Sequence, residues 1–81
     1  MEEYVKTMGK ISGDLWKVFK AACESWNPKS DEWWSKLSDD MDSVAKRYTG
    51  TEYEKYARSY AVDLVYEIER KANTFQKQLE G

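Results

Sequence analysis

Few side chains in this sequence have the types and spacing that chemistry requires. The chain contains no histidine and a single cysteine. Without an imidazole it lacks the usual general base and the Ser–His and Cys–His nucleophile pairs. One cysteine without histidine also excludes the common structural zinc sites. Gly9 and Gly13 lie outside any phosphate-loop motif. We therefore expect a protein that is not an enzyme and that uses no cofactor.

Two other features could take part in a reaction, and each also has a simpler interpretation. Cys23 falls at the edge of an apolar helix face, so we expect a small buried side chain. A reactive thiol would need a cationic neighbour, which the sequence does not fix. Asp63 and Glu67 are one helical turn apart and have a spacing that would allow acid–base work. Solvated surface charge is favoured for them, because nothing in the sequence marks a cleft.

The densest group of acidic residues in the chain is formed by Asp39, Asp40 and Asp42. It could imitate nucleic-acid phosphates or contact a basic surface on a partner. The alternative, which we favour, is an ordinary solvated helix face, because lysines are interleaved with these carboxylates. One of them, Lys46, is four residues after Asp42 and can pair with it on the outer surface.

Composition and charge narrow the class of protein. The chain has 81 residues and a net charge of −2, with both signs mixed along its length. It therefore lacks the basic footprint of a protein that binds nucleic acid directly or that binds an anionic membrane. No apolar run approaches the roughly 18 residues of a transmembrane helix, and the acidic start does not resemble a signal peptide. With a single cysteine, a reducing cytoplasmic setting is the simplest expectation.

Apolar periodicity predicts the elements that must position these residues. We expect an all-α domain spanning residues 1–81, a three-helix up-down-up bundle with helices at about 13–26, 31–48 and 52–79. Pro28 ends the first helix. Ser30 caps the second, and Gly50 closes it in the left-handed conformation.

The start of the third helix is predicted from a capping box in the sequence Thr51-Glu52-Tyr53-Glu54. In this motif the Thr51 hydroxyl accepts from the Glu54 amide, and the Glu54 carboxylate reaches back to Thr51. The second helix then ends and the third begins within about three residues, which makes them antiparallel neighbours.

The first twelve residues give mixed signals. Apolar residues return at helical spacing, but Gly9 and Gly13 interrupt them, at up to about 1 kcal/mol each relative to alanine. We therefore expect a frayed or kinked lead-in over residues 1–12, with Ser12 capping the first firm helix.

The predicted third helix is longer than the second, so its last residues extend past the Pro28 turn. Phe75 and Leu79 lie on its core stripe without obvious cover there. Three outcomes are open: the helix breaks near Asn73 and Thr74, Trp26 and Trp33 fold over it, or another chain covers it.

Apolar residues also occur on the outer side of the third helix. If Leu64 faces the core, a rotation of about 100° per residue places Val62 and Tyr66 nearly opposite it. Such residues indicate a second contact surface, with Arg58 and Arg70 as its polar rim. The alternative is that isolated apolar residues on a surface are normal. The candidate partner-binding residues are Val62, Tyr66, Arg58, Arg70, Asp39, Asp42 and Phe75.

Four segments of the sequence resemble those of small helical proteins from phages and prophages of gut Firmicutes. They are Trp16 to Phe19, 31–37, 45–48 and 67–71. The resemblance spans about residues 14–71 and implies a small cytosolic accessory protein of a mobile element. Some proteins of this kind act as anti-defence or anti-CRISPR inhibitors, by binding rather than by catalysis. The resemblance assigns no functional residue in this chain.

The sequence therefore predicts a helical protein-binding module of a phage or mobile element, which acts on a host or phage protein in the host cytoplasm. Its most concrete form is an inhibitor of a CRISPR-type defence protein. The alternative is a self-associating accessory protein that forms a homodimer through the third helix.

Overall fold

Three α-helices make up the computed structural model, which describes the backbone of residues 1–80 and the side chains of residues 1–74. They are α1 (Glu2–Glu24), α2 (Asp31–Lys46) and α3 (Glu54–Glu80). Each helix packs against the other two, and no strand occurs among residues 1–80. The predicted all-α, three-helix up-down-up bundle is confirmed.

The core lies where the three apolar stripes meet, and no polar or charged side chain among residues 1–74 is buried in it. Its central members, Ile11, Leu15 and Ile68, are fully enclosed. The full set of buried side chains is Ile11, Leu15, Ala22, Trp33, Leu37, Met41, Val44, Ala45, Ala57, Ala61 and Ile68. Apolar residues recur every three or four positions in each helix, which places them on the side that faces the other two helices.

Helix α1 differs most from the sequence-based expectation. The predicted frayed or kinked lead-in over residues 1–12 is wrong, because this segment belongs to one continuous helix. Gly9 and Gly13 lie inside it, at a cost of about 2 kcal/mol together. Ile11 and Leu15 are both 0% exposed. Burying two such side chains contributes about 3–6 kcal/mol, which outweighs the cost of the glycines.

Polar and aromatic contacts with α3 also hold the first half of α1 in place. Ser12 does not cap a helix as predicted; its hydroxyl oxygen lies 2.6 Å from that of Tyr56. Tyr4 packs on Tyr53, the residue just before α3, with 6.1 Å between the ring centroids. The first half of α1 is therefore bound to the start of α3.

The connection between α2 and α3 is longer than predicted. Helix α2 ends at Lys46 rather than at residue 48, and α3 begins at Glu54 rather than at residue 52, which leaves residues 47–53 as a connection. Gly50 adopts the predicted left-handed conformation, with φ of 82°. The intervening residues are joined by successive backbone bonds between residues i and i+3, so the link is a run of tight turns.

The hydrogen bonds predicted for the capping box are also wrong. The Thr51 hydroxyl accepts from the Tyr53 amide at 3.2 Å and donates to the Tyr48 carbonyl at 2.6 Å. The Glu54 amide donates instead to the Thr51 backbone carbonyl at 3.2 Å. The threonine thus stabilises the turn before the helix, which displaces the helix start.

At the opposite end of the bundle, α1 ends at Glu24 rather than at residue 26, just before the turn that contains Pro28. The Trp34 ring nitrogen donates to the Pro28 carbonyl at 2.7 Å. The predicted cap of α2 is confirmed, since the Ser30 hydroxyl accepts from the Trp33 amide at 3.3 Å. The Trp34 side chain and the Ser30 cap therefore fasten the turn to the start of α2.

Helix α3 continues without a break to Glu80, so the option of a break near Asn73 and Thr74 is excluded. The Thr74 hydroxyl bonds back to the Arg70 carbonyl at 2.9 Å, as in a regular helix. Trp26 and Trp33 pack edge to face at 5.3 Å, and Trp33 is buried. The side chains of Phe75 and Leu79 lie outside the described residues.

Candidate functional site

A groove open to solvent runs between the outer edges of α2 and α3, and we call it the α2–α3 groove. It encloses about 290 Å³. Helix α2 lines it with Ser38, Met41, Asp42 and Ala45, and α3 lines it with Arg58, Ala61, Val62, Val65 and Tyr66. Three predicted partner-binding residues of α3 and one of α2 thus meet at a single place.

Small side chains explain why a groove forms here. Ala45 and Ala61 are 3% and 6% exposed, and they occupy positions where a larger side chain would fill the space between the helices. Met41 and Val65 then form the apolar floor, and Val62 and Tyr66 project beside it. Met41 is buried and Val65 is half-buried against the core. The apolar periodicity alone did not indicate the part that the alanines play.

Two side chains of the groove stay exposed although they are apolar over most of their surface. Val62 is 49% exposed and Tyr66 is 63% exposed. Both are therefore exposed on the outer side of α3, as predicted, while Leu64 is half-buried against the core. A valine and a tyrosine beside an apolar floor form the kind of surface that a partner can desolvate.

Charges at the rim of the groove are already matched by neighbours on the same helix. Asp42 pairs with Lys46 at 3.1 Å, as predicted. Arg58 lies 3.9 Å from Glu54. Exposed pairs of this kind contribute about 0–1 kcal/mol, so their ends remain free to exchange partners on binding.

A second hollow adjoins the groove on the far side of Val62. It is a shallow depression of about 280 Å³, wide open to solvent, and is lined by Arg58, Ser59, Val62 and Asp63. Arg58 and Val62 line both depressions, so they form a ridge with a hollow on each side.

The structure does not bring all predicted contact residues to this place. Asp39 is exposed on α2 but does not line the groove, and neither does Arg70. The Arg70 guanidinium bonds the Glu67 carboxylate, with a shortest contact of 2.5 Å. This hydrogen bond lowers the pKa of Glu67 and raises that of Arg70. The side chain of Phe75 lies outside the described residues.

Cys23 was expected to be buried, and this expectation is wrong because its side chain is exposed. Partial desolvation by its neighbours nevertheless raises the pKa of the thiol above its ordinary value. The thiol is therefore protonated at neutral pH, which disfavours nucleophilic reactivity.

The groove has the chemistry of a contact surface. Its volume is at the lower limit of small-ligand pockets, and its open form would leave most of a ligand in solvent. Within residues 1–74, no three carboxylate or thiol groups lie close enough together to hold a metal ion. In the described part of the chain, no helix combines the length and apolar character needed to cross a bilayer.

Comparisons of this chain with known proteins found no match. No family model, no curated protein and no solved structure matches it.

Proposed function

We propose that the protein is a binding module without catalytic activity, and that it recognises another protein through the α2–α3 groove. One observation carries this proposal. Val62 and Tyr66 are exposed beside an apolar floor, while the other large apolar side chains of α3 up to Thr74 pack in or against the core. The groove therefore offers two apolar side chains that can pack on a partner, and beside them a space that can accept a side chain from that partner.

The expected partner surface has a simple form. A groove between two helices accepts one or two large apolar side chains from a partner helix. The flanking charges determine the orientation in which that helix binds. Asp42 and Arg58 lie across the groove from one another and carry opposite charges. A partner helix with a basic and an acidic residue on either side of its apolar anchors would be complementary to them.

The narrower proposal is that the partner is a host defence protein of the CRISPR type and that the chain is encoded by a phage. It is supported by the resemblance of residues 14–71 to small phage proteins. Inhibition by occlusion needs only a binding surface, which agrees with a chain that lacks histidine.

Affinity capture from a bacterial host lysate tests the general proposal when it compares three forms of the chain. The wild type, the double variant Val62→Lys with Tyr66→Lys, and the control Val5→Lys are immobilised in parallel. Val5 is 64% exposed on α1 and lies outside the groove. We expect a protein that the wild type and the control retain and the double variant loses, and that binds the purified wild-type chain when isolated.

Retention by all three forms, or a captured protein that binds the purified double variant equally well, would contradict a role for the groove. Cleavage of target DNA by a purified CRISPR nuclease, with each of the three forms added, tests the narrower proposal separately. Unaltered cleavage with every form would exclude that nuclease as the target and leave the general proposal standing.

A further inference from the structure

The outer face of α3 has a charge polarity along its length. Lys55 and Arg58 lie on it near the helix start, Val62 and Tyr66 occupy the middle, and Glu69 follows. Lys55 and Glu69 are each seven residues from Val62, which is two helical turns or about 10 Å along the axis. Arg70 also lies near the Glu69 end, but its guanidinium is bound by the Glu67 carboxylate. Lys55 and Glu69 are thus placed symmetrically about an apolar centre.

The end charges of this face are available for a partner. Lys55 and Glu69 are both exposed, and neither forms an ion pair with another side chain among residues 1–74. Within the described side chains, Arg58 has a single ion pair, its long contact of 3.9 Å with Glu54. A two-fold axis reverses the helix direction, so the basic end of one face would meet the acidic end of an identical face.

We propose that a second copy of this chain covers the face, with the two α3 helices antiparallel about a two-fold axis near Val62. Lys55 and Arg58 of each chain then face Glu69 of the other. The inference rests on the proposed function in one respect, namely that this surface is a site of protein contact.

The shape of this surface is also complementary to itself about the same two-fold axis. Val62 and Arg58 form a ridge between two hollows of about 290 and 280 Å³. About a two-fold axis, the ridge of each copy can enter a hollow of the other, as knobs enter holes between paired helices. The same operation buries the exposed Val62 and Tyr66 side chains.

Such a dimer covers the surface that the proposed function assigns to another protein. Dimer formation and capture of that protein therefore compete for Val62 and Tyr66. The dimer is the covered form of the molecule, and the monomer is the form that binds. Binding should weaken as the concentration of the chain rises above its dimer dissociation constant.

Charge reversal at both ends of the face tests this arrangement. We would measure the oligomeric state by sedimentation velocity for the wild type, for Lys55→Glu with Arg58→Glu, and for Glu69→Lys. We expect a dimer for the wild type. For each variant alone, we expect the dimer dissociation constant to rise by about tenfold or more. An equimolar mixture of the two variants should recover the dimer, because every reversed charge then faces its opposite.

A cross-link gives a second measurement on chains that keep their native charges. Val62→Cys in a Cys23→Ser background should form an interchain disulfide on mild oxidation, because the two copies of residue 62 lie near the axis. Glu3→Cys in the same background, exposed at the start of α1, is the matched control and should remain unlinked. Circular dichroism confirms that each variant is folded.

A wild-type chain that stays monomeric at its highest soluble concentration would overturn the dimer. So would a mixture of the two charge variants that associates no better than its components. Either result leaves the proposed function intact if the groove variant still loses its captured protein. Conversely, recovery of the mixed dimer supports the dimer even if no other protein is captured.

Discussion

At the scale of single residues, the two glycines inside α1 give a direct prediction. A Cβ atom built at Gly9 or Gly13 meets nothing within 4 Å. Replacing each by alanine should raise the free energy of unfolding by about 0.5–1 kcal/mol, because the unfolded chain loses freedom and the helix loses no contact. The melting temperature should rise by several degrees, as measured by circular dichroism at 222 nm (about 4–8 °C per kcal/mol at this size).

Gly50 is the matched control for these substitutions. Its φ of 82° lies in the left-handed region, which L side chains rarely adopt, although its surroundings are equally open. Gly50→Ala should therefore destabilise the protein by about 1 kcal/mol. Stabilisation at position 50, or destabilisation at positions 9 and 13, would mean that the backbone differs from the one described.

The ion pair between Glu67 and Arg70 makes a prediction about pH. The hydrogen bond from Arg70 lowers the pKa of Glu67 in the folded protein. The pair therefore contributes stability above the unfolded pKa of glutamate, and this contribution is lost as the pH falls through the lower folded value. In an NMR titration, Arg70→Gln should raise the pKa of Glu67 towards its ordinary value, whereas Lys36→Gln should leave it unchanged.

At the scale of the helices, the packing of the first half of α1 can be tested by a pair of substitutions. Ile11 is 0% exposed, so Ile11→Ala should lower the free energy of unfolding by about 2–5 kcal/mol. Val5 is 64% exposed, so Val5→Ala should change it by less than about 0.5 kcal/mol. Urea titrations of both variants are the measurement. Nearly equal effects would indicate that this segment is frayed after all.

The helices could be predicted from the sequence wherever periodicity and breakers agree. Pro28 and Ser30 mark the start of α2, and that start is as predicted. The beginning of α1 was missed because local propensity counts against Gly9 and Gly13, while Ile11 is buried by contacts with other helices. Tertiary burial overrides propensity in such cases, and it leaves no local signal in the sequence.

At the scale of the whole molecule, one shared core predicts one cooperative transition. Every helix contributes buried residues to the same cluster. Urea unfolding followed by circular dichroism and by tryptophan fluorescence should therefore give coincident curves. Two separated midpoints would show that the end of the bundle carrying Trp33 unfolds independently of the rest.

The candidate site could be predicted only in part. Rotation about the axis of α3 placed Val62 and Tyr66 on the outer side, which needs no knowledge of the neighbouring helices. The groove beside them depends on how Ala45 and Ala61 meet across two helices. That meeting is fixed by the connection 47–53 and by the register of packing, neither of which has a periodic signature.

The ring arrangement near the Pro28 turn has a spectroscopic consequence. Trp33 and Trp34 lie 4.8 Å apart at an angle of 84°, and Trp26 lies 5.3 Å from Trp33. Indole chromophores held so close and so steeply inclined couple their electronic transitions. The strong far-ultraviolet transition of the indole rings should therefore give an exciton couplet in the dichroism of the folded chain. Its amplitude would report how closely the three rings at this end of the bundle are packed.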